Sequence, residues 1–466
     1  REYFYLLGRS SVEEVRPDDV VEKKMTVLFS DIRNFTTLSE SLTPRENFMF
    51  LNSYLEPMEE VITSCGGIID KYIGDAIMAI FPGSADDALN AAVGMLNQLG
   101  RFNDRRARKG FEPIGTGIGL NTGYMLLGTL GGRTRMSSTV ISDAVNLASR
   151  IESMTKVYEA DLLISEHTYY SLSETASHDI RFVDRVRVKG KEQPQSIYEV
   201  FDADMPDLRE GKRKTLEIFD EALAWYHFKN INRAEELLRR CLAECPGDSL
   251  AHLYLRRCRQ FAETGMHEGT GEIELSLTWS PDFAIGDEII DSQHRQLFNA
   301  VNNFVDGIRR NESLGKTNDI AQFLDQYVRE HFETEERIME EAGYPFLDVQ
   351  IEQHRRFSDY FSILKEQIQR DFETRPQFLL FKIQLFVMDW LVHHTVKLDR
   401  HFGRYMNARE RKNAGGSGGD GIHTLKKEEG HEKELQGRPE GKGCGRSEHG
   451  AGHGTAGDPP VHESAL

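Results

Sequence analysis

The stretch Ile68-Ile69-Asp70-Lys71-Tyr72-Ile73-Gly74-Asp75-Ala76-Ile77-Met78-Ala79-Ile80-Phe81 reads as strand, tight turn, strand, with a carboxylate in the turn. Upstream, the apolar run Met25 to Phe29 ends in Ser30-Asp31-Ile32-Arg33, which puts a second carboxylate at a strand end. Two carboxylates at adjacent strand ends can hold two metal ions, a common device for phosphoryl transfer. Lys71, four residues before Asp75, is well placed to touch a nucleotide.

Outward from this hairpin, strands are expected at Met25–Phe29, Ile68–Ile73, Ala76–Phe81, Gly115–Leu120, Leu162–Ile164, Val183–Val188 and Ser196–Phe201. Helices are expected at Pro44–Ser64, Ala85–Lys109 and Asp143–Thr155. The alternation predicts an α/β or α+β domain over residues 21–204, after a lead-in segment 1–20. Residues 213–263 read as a helical linker, with helices Glu217–Phe228 and Asn232–Cys245 and a third opened by Pro246-Gly247-Asp248. The pattern Ala222, Tyr226, Ala234, Leu238, Pro246 resembles one tetratricopeptide unit. A single unit cannot bury its own apolar face, so it is expected to pack on a neighbour or join domains. Long amphipathic helices fill residues 277–409, and 410–466 read as a disordered tail, rich in Gly, His, Glu and Lys from Gly415 onward.

The chain has 466 residues, enough for two or three cores. Its net charge of −18 argues against nucleic acid as a partner. The five cysteines (Cys65, Cys241, Cys245, Cys258, Cys444) show no framework spacing, which predicts reduced thiols in a cytoplasmic setting. Cys241 and Cys245 are one helical turn apart, but no second pair completes a zinc site, so a structural role is expected. No apolar run reaches the roughly 18 residues needed to span a bilayer. The longest, Leu379 to Val392, contains Lys382 and Asp389 and reads as a buried bundle helix. The chain opens on Arg1 rather than methionine, which leaves room for an upstream input or membrane region.

Two side chains complement the acidic pair. Asn146 and Arg150, spaced i, i+4 in Ser142-Asp143-Ala144-Val145-Asn146-Leu147-Ala148-Ser149-Arg150, share one helix face. An amide beside a guanidinium suits a nucleotide, the first orienting ribose and the second neutralising phosphate oxygens. Val188-Lys189-Gly190-Lys191 adds cations near a strand end.

With the blocks Leu28-Phe29-Ser30-Asp31-Ile32-Arg33-Asn34-Phe35-Thr36, Asp70 to Ala76 and Val145 to Arg150, the first half resembles the class III nucleotidyl cyclases over about 180 residues. The resemblance implies a ferredoxin-like α+β catalytic domain. Asp31 and Asp75, helped by the Ile32 carbonyl, would bind two Mg²⁺ or Mn²⁺ ions. Asn146 and Arg150 would stabilise the transition state, and Lys189 (or Lys191) would contact phosphate. Lys71 and Thr139 occupy the base-reading positions. Lys71 can only donate, so it suits N1 of adenine and opposes guanine, which makes ATP the expected substrate. The family builds each site from two subunits, which implies a homodimer. Guanylate cyclase activity is the alternative within this chemistry. A bicarbonate response is implied by the Lys/Thr subgroup alone.

The last helices carry a second constellation. His331 and Glu335 lie at i, i+4 on the stripe Ile320, Phe323, Leu324, Tyr327, Val328, Phe332, Ile338, Met339. His294 sits among Ile290, Leu297, Phe298 and Val301, and His354 continues Leu347, Ile351, Phe357 and Phe361. His394 follows Val387, Trp390 and Leu391, with Asp399 five residues on. One inward histidine is more often a satisfied core residue than a ligand. Four helices that each turn imidazole or carboxylate inward can build a two-metal site, and mixed ligands of this kind suit iron. A metal-free structural bundle is the alternative.

On Asp291-Ser292-Gln293-His294, His331 to Glu336, Gly343-Tyr344-Pro345 and Trp390 to His394 with Asp399, this segment resembles the bacterial hemerythrins. The resemblance implies a four-helix bundle with a di-iron centre. His294 and His331 would hold one iron, His354 and His394 the other, with Glu335 and Asp399 bridging. His393 is off register and expected as a non-ligand. Where the family has a histidine four residues before His354, this chain has Gln350, a weaker ligand. The expected whole is an adenylate cyclase regulated by a bundle that senses O₂ or another diatomic or redox ligand. The rival from another class is an iron or O₂ binder whose cyclase is vestigial.

Overall fold

Strand β1 (Val20–Ile32) extends the apolar run at both ends and pairs along its whole length with β4 (Thr116–Gly132), from Val20 opposite Gly128 to Ile32 opposite Thr116. The computed structural model describes residues 20–132, 135–173, 175–186, 195–265, 277–310 and 312–414. On the other side of β1 lies β3 (Ala76–Phe81), and β3 pairs with β2 (Ile68–Ile73). The order β2-β3-β1-β4, all antiparallel, continues through β6 (Leu162–Ser165), β8 (Gln195–Val200) and β7 (Ile180–Val186). Among the described strands only the β4–β6 pairing is parallel. Strand β5 (Arg135–Ile141), which the sequence reading did not anticipate, pairs with β4 beyond the sheet's main path.

The sheet buries both faces because its central strands are near-continuous apolar runs whose successive side chains point to opposite sides. Leu28, Ile77, Ala79 and Phe81 pack against α2 (Pro44–Ser64) and α3 (Ala85–Ala107), which follow the short α1 (Phe35–Glu40). Met25, Val27, Phe29, Met78 and Ile80 meet Met125, Leu127 and Ala148 on the opposite face. Helices α2 and α3 start where predicted because each has a capping box, Thr43 with Glu46 and Ser84 with Asp87. Helix α4 (Asp143–Tyr158) lies so close to β4 that a Cβ on Gly119 would sit 2.2 Å from the Glu152 nitrogen and 2.7 Å from the Ala148 oxygen. The one-turn helix α5 (Glu166–Tyr169) follows β6.

Three linker helices come next, α6 (Pro206–His227), α7 (Ile231–Glu244) and α8 (Ser249–Thr264). Helix α6 starts well before the expected Glu217, with Pro206 in its first turn. The linker is fastened to the sheet by buried charge. Arg181 on β7 makes a two-pronged pair with Asp248, at 2.6 and 2.7 Å, and a second pair with Glu199. Lys212 also reaches Glu199, at 2.8 Å, and the Tyr254 hydroxyl donates to the Val183 carbonyl at 2.7 Å. Cys65, Cys241, Cys245 and Cys258 are free, and burial pushes the Cys241 and Cys258 thiols up to about 12, which leaves them unreactive.

The last part is a bundle of α9 (Glu288–Arg309), α10 (Leu314–Ala342), α11 (Leu347–Asp371) and a segmented fourth helix. That helix comprises α12 (Pro376–Ile383), α13 (Asp389–His393) and α14 (Arg400–Ala414). π-Helical turns at Gln384–Met388 and His394–Asp399 join them. Lys382 on α12 pairs with Asp220 on α6. Arg1–Arg411 form one compact unit, and of the second, Lys412–Leu466, only the end of α14 is described. Lys189, Lys191 and residues 415–466 lie outside the described residues. Among the described residues no helix is long and apolar enough to cross a membrane.

The Gly119 contact generates a test. Gly119→Ala should push α4 off the sheet and destabilise the fold by about 1–3 kcal/mol, measured by thermal or urea denaturation.

Candidate catalytic and metal centres

The hairpin that opens the sequence reading places Asp75 in a two-residue turn. Gly74, at φ +67°, supplies the left-handed conformation the turn needs at its first position. Asp31 lies at the end of β1, opposite Gly117, and the Ile32 amide donates to Asp75 Oδ2 at 3.3 Å. The two carboxyls are thus drawn together. Partial burial, with the hydrogen bond and charge of Asp31, pushes Asp75 up to about 6. Lys156 of α4, which the sequence reading did not single out, reaches Asp31 Oδ2 at 2.8 Å. A bulge between Ile69 and Lys71 turns Lys71 outward, half-exposed and 3.0 Å from Asp70.

Asn146 is exposed and Arg150 half-buried, both on α4. Helix α4 is held at its start by Ser142, whose hydroxyl donates to the Tyr124 carbonyl and accepts from the Ala144 amide. The Asn121 amide adds a bond to the Ala144 carbonyl at 2.8 Å. Asn146 lies ten residues before Lys156, about 15 Å along the helix from the residue that touches Asp31. Thr139 is on β5, paired with Gly128, and its side chain lies outside the described part of the structure.

In the bundle, all six expected ligand residues converge. Glu335 Oε2 lies 3.2 Å from His354 Nε2, 3.6 Å from His394 Nε2 and 3.9 Å from His331 Nε2. Asp399 faces His294 Nε2 at 3.2 Å and His394 Nε2 at 3.1 Å. The rings of His294 and His331 are 4.8 Å apart, as are those of His354 and His394. His394 and Asp399 are i, i+5, a spacing that does not share a face in an α-helix; the π turn brings them to one side.

This donor set fits cations. Both oxygens of Glu335, both ring nitrogens of His294, His331 Nε2 and Asp399 Oδ2 are buried without a hydrogen-bond partner. Burial lowers His294 and His331, which keeps them as neutral imidazoles with lone pairs available. Burial and the neighbouring Glu335 raise Asp399 well above the usual carboxylate range, the condition that a cation would relieve. Outer partners hold two rings, Gln293 Oε1 at 3.0 Å from His331 Nδ1 and Glu336 Oε1 at 2.7 Å from His354 Nδ1. Gln350 takes its place inside this cluster, its amide donating to Asp399 Oδ1 at 2.6 Å and lying 3.2 Å from His394 Nε2.

Sheet and bundle meet at α5 and the residues after it. The Tyr170 carbonyl accepts from Gln353 at 2.8 Å and Arg356 at 2.7 Å, while its hydroxyl donates to the Leu385 carbonyl at 2.6 Å. Tyr360 donates to the Tyr169 hydroxyl at 2.6 Å. Further along, Tyr124 stacks on His401 at 4.2 Å, and His401 Nε2 is 3.4 Å from Glu22 on β1.

A family model described as the adenylate and guanylate cyclase catalytic domain matches residues 20–200, and one described as the hemerythrin HHE cation binding domain matches residues 285–405. The chain carries a class III cyclase catalytic domain followed by a hemerythrin domain. An adenylate cyclase of Anabaena cylindrica is 45% identical over 204 residues, which cover 42% of this chain and 41% of that protein. The terminal-differentiation specific adenylate cyclase of Dictyostelium discoideum is 38% identical over 269 residues, covering 56% of this chain and 13% of that one. That share exceeds what residues 1–200 amount to, so the likeness runs past the cyclase domain into the linker helices. This chain spans less than half the length of either relative. The solved structure of the adenylyl cyclase CyaB from P. aeruginosa has 37% identity and a TM-score of 0.36, covering 39% of this chain and 96% of that one.

The acidic pair of the cyclase domain has a pH signature. Asp75 lies above its ordinary value in the folded state, so its ionised form opposes folding, and protonation relieves this as pH falls through about 6. In metal-free protein, Asp75→Asn should therefore raise the thermal midpoint more at pH 8 than at pH 5, read by scanning calorimetry.

Proposed function

We propose that the chain is an adenylate cyclase that converts ATP to 3′,5′-cyclic AMP and pyrophosphate at a homodimer interface, under the control of its hemerythrin domain. The observation that carries this reading is the placement of the two half-sites. Asp31 and Asp75 are drawn together at one end of the sheet, while Asn146 stands about 15 Å further along α4 than the residue that reaches them. That separation favours a shared site, in which a second copy supplies the other half to each.

Two Mg²⁺ or Mn²⁺ ions held by Asp31, Asp75 and the Ile32 carbonyl would activate the ribose 3′-hydroxyl and neutralise the leaving pyrophosphate. The chain's own groups do the rest. Lys71, exposed at the bulge, donates to N1 of adenine, and Thr139 completes the base contact. Asn146 of the second copy orients the ribose, and Arg150 neutralises charge on the α-phosphate as the 3′-oxygen attacks. Lys189 serves the phosphates. The resulting specificity rests on donor polarity, since guanine presents a donor at N1.

In the hemerythrin domain, His294, His331, His354, His394, Glu335 and Asp399 would hold a pair of irons, which would supply binding of O₂ or another small redox ligand. Gln350 restrains Asp399 and His394 by hydrogen bonds, so it shapes the cluster even where it does not ligate. Regulation is favoured by the contacts of Tyr170 with Gln353, Arg356 and Leu385, which fasten the ligand-bearing helices to the catalytic sheet.

Three measurements test this. Purified chain offered ATP and GTP together should form cyclic AMP, and Lys71→Glu should reduce ATP use; preferred GTP turnover would replace adenylate by guanylate cyclase. Asp75→Ala and Asn146→Ala should each be inactive alone, yet equal mixing should restore about a quarter of wild-type activity through heterodimers with one intact site. Restored activity that stays at zero would remove the shared-site dimer. In iron-loaded protein, cyclic AMP output should differ between air and anaerobic conditions, and identical rates would exclude O₂ control.

A further inference from the structure

His393 does not face the iron-type cluster that its neighbour His394 joins. Its ring stacks on His167 of the cyclase domain, with centroids 4.3 Å apart and planes 29° from parallel. Glu166, next to His167 on α5, is buried, and its Oε1 lies 3.9 Å from His167 Nδ1. One ligand atom from each of Glu166, His167 and His393 lies within 4.8 Å of the other two. We propose that these three residues form a further transition-metal site, of the zinc class, that clamps the hemerythrin domain to the cyclase domain. It is independent of both the cyclase reaction and the iron cluster.

The donor chemistry suits Zn²⁺. Two imidazoles and one carboxylate are a recurrent zinc ligand set, with bonds of about 2.0–2.2 Å and a fourth position left to water. The ligand atoms are near enough to share one ion once the two stacked rings turn so that their in-plane lone pairs converge on it. Room for the fourth ligand is present. A cavity of about 270 Å³ is lined by His167 and His393 together with Asn121, Thr122 and Ser171. The carboxylate is already aimed, since Glu166 Oε2 accepts the Ser196 amide at 2.9 Å, which leaves Oε1 turned toward His167.

Gln195 supplies the outer contact that such a site needs. Its amide lies 3.2 Å from His167 Nε2, and its Oε1 is buried without a hydrogen-bond partner. Oxygen and nitrogen of an amide are interchangeable by a flip. With the flip, Oε1 accepts the Nε2–H of His167, and the Nδ1 lone pair is left for the metal. Gln195 is thus a positioning residue, acting through His167.

The test uses the full-length, iron-loaded chain and Zn²⁺ alone as probe. After dialysis against Zn²⁺ and removal of loosely bound ion, elemental analysis should find one zinc per chain beyond the iron. His167→Ala and Glu166→Gln should each lose that equivalent while keeping their iron, and His393→Ala should lose it as well. Gln195→Leu should retain the site with affinity weakened about 10- to 100-fold. Zn²⁺ should raise the unfolding midpoint of wild type but not of Glu166→Gln, an isosteric change that separates metal loss from misfolding. Wild type that takes up no zinc, or zinc uptake unchanged in His167→Ala and Glu166→Gln, overturns the proposal. Cyclic AMP synthesis plays no part in these readouts, so a failed clamp and a failed cyclase assignment stay distinguishable.

Discussion

The pairing of β1 with β4 is the constraint on which the rest depends. It runs without a break from Val20–Gly128 to Ile32–Thr116. At one end it delivers Asp31 to the turn that holds Asp75. At the other it presents Glu22 to His401 of the hemerythrin domain. Because side-chain direction alternates along a strand, a one-residue slip would reverse every side chain and separate both sets of contacts at once. The apolar faces prevent that slip, since Leu28 belongs to one core layer and Val27 and Phe29 to the other.

Burial of charge is the second organising theme, and it appears with two outcomes. Around Arg181 the opposite charges of Asp248 and Glu199 are present in the chain, so the network is closed and serves to fasten the linker. Around Glu335 and Asp399 the chain supplies carboxylates and imidazoles but no Lys or Arg partner among the described contacts. The same cost of burying charge therefore gives a structural joint in one place and an appetite for cations in the other.

Much of this was legible in the sequence where local rules operate. The hairpin strands Ile68–Ile73 and Ala76–Phe81 and helix Pro44–Ser64 came out at their expected bounds, because Gly74 and the Thr43–Glu46 box mark them locally. Strand β5 escaped notice because Arg135-Met136-Ser137-Ser138-Thr139-Val140-Ile141 has no clean alternation; it exists through its pairing with β4. The start of α6 was placed too late because its first turns carry charged residues that pack on the cyclase domain rather than an apolar stripe. The histidines of the bundle were visible one by one from their apolar neighbours. That His394 and Asp399 share a side could not be read from α-helical spacing, since it requires a π turn. That His393 meets His167 depends on how distant parts of the chain pack, which no local pattern records.

The contact at Tyr170 has a consequence for how such a joint tolerates change. Gln353 and Arg356 hold its main-chain carbonyl, an atom every residue possesses. Side-chain replacement at that position removes the hydroxyl bond to Leu385 and the packing of the buried ring on Tyr169 and His393, but leaves the two carbonyl anchors standing. The length of the segment after α5 is a different matter, because inserting or deleting one residue would move the carbonyl itself by up to about 3.8 Å. The two carbonyl anchors are therefore indifferent to residue identity and strict toward changes in spacing. A cyclase domain grafted from a relative would have to preserve that spacing before it needed to preserve any particular side chain.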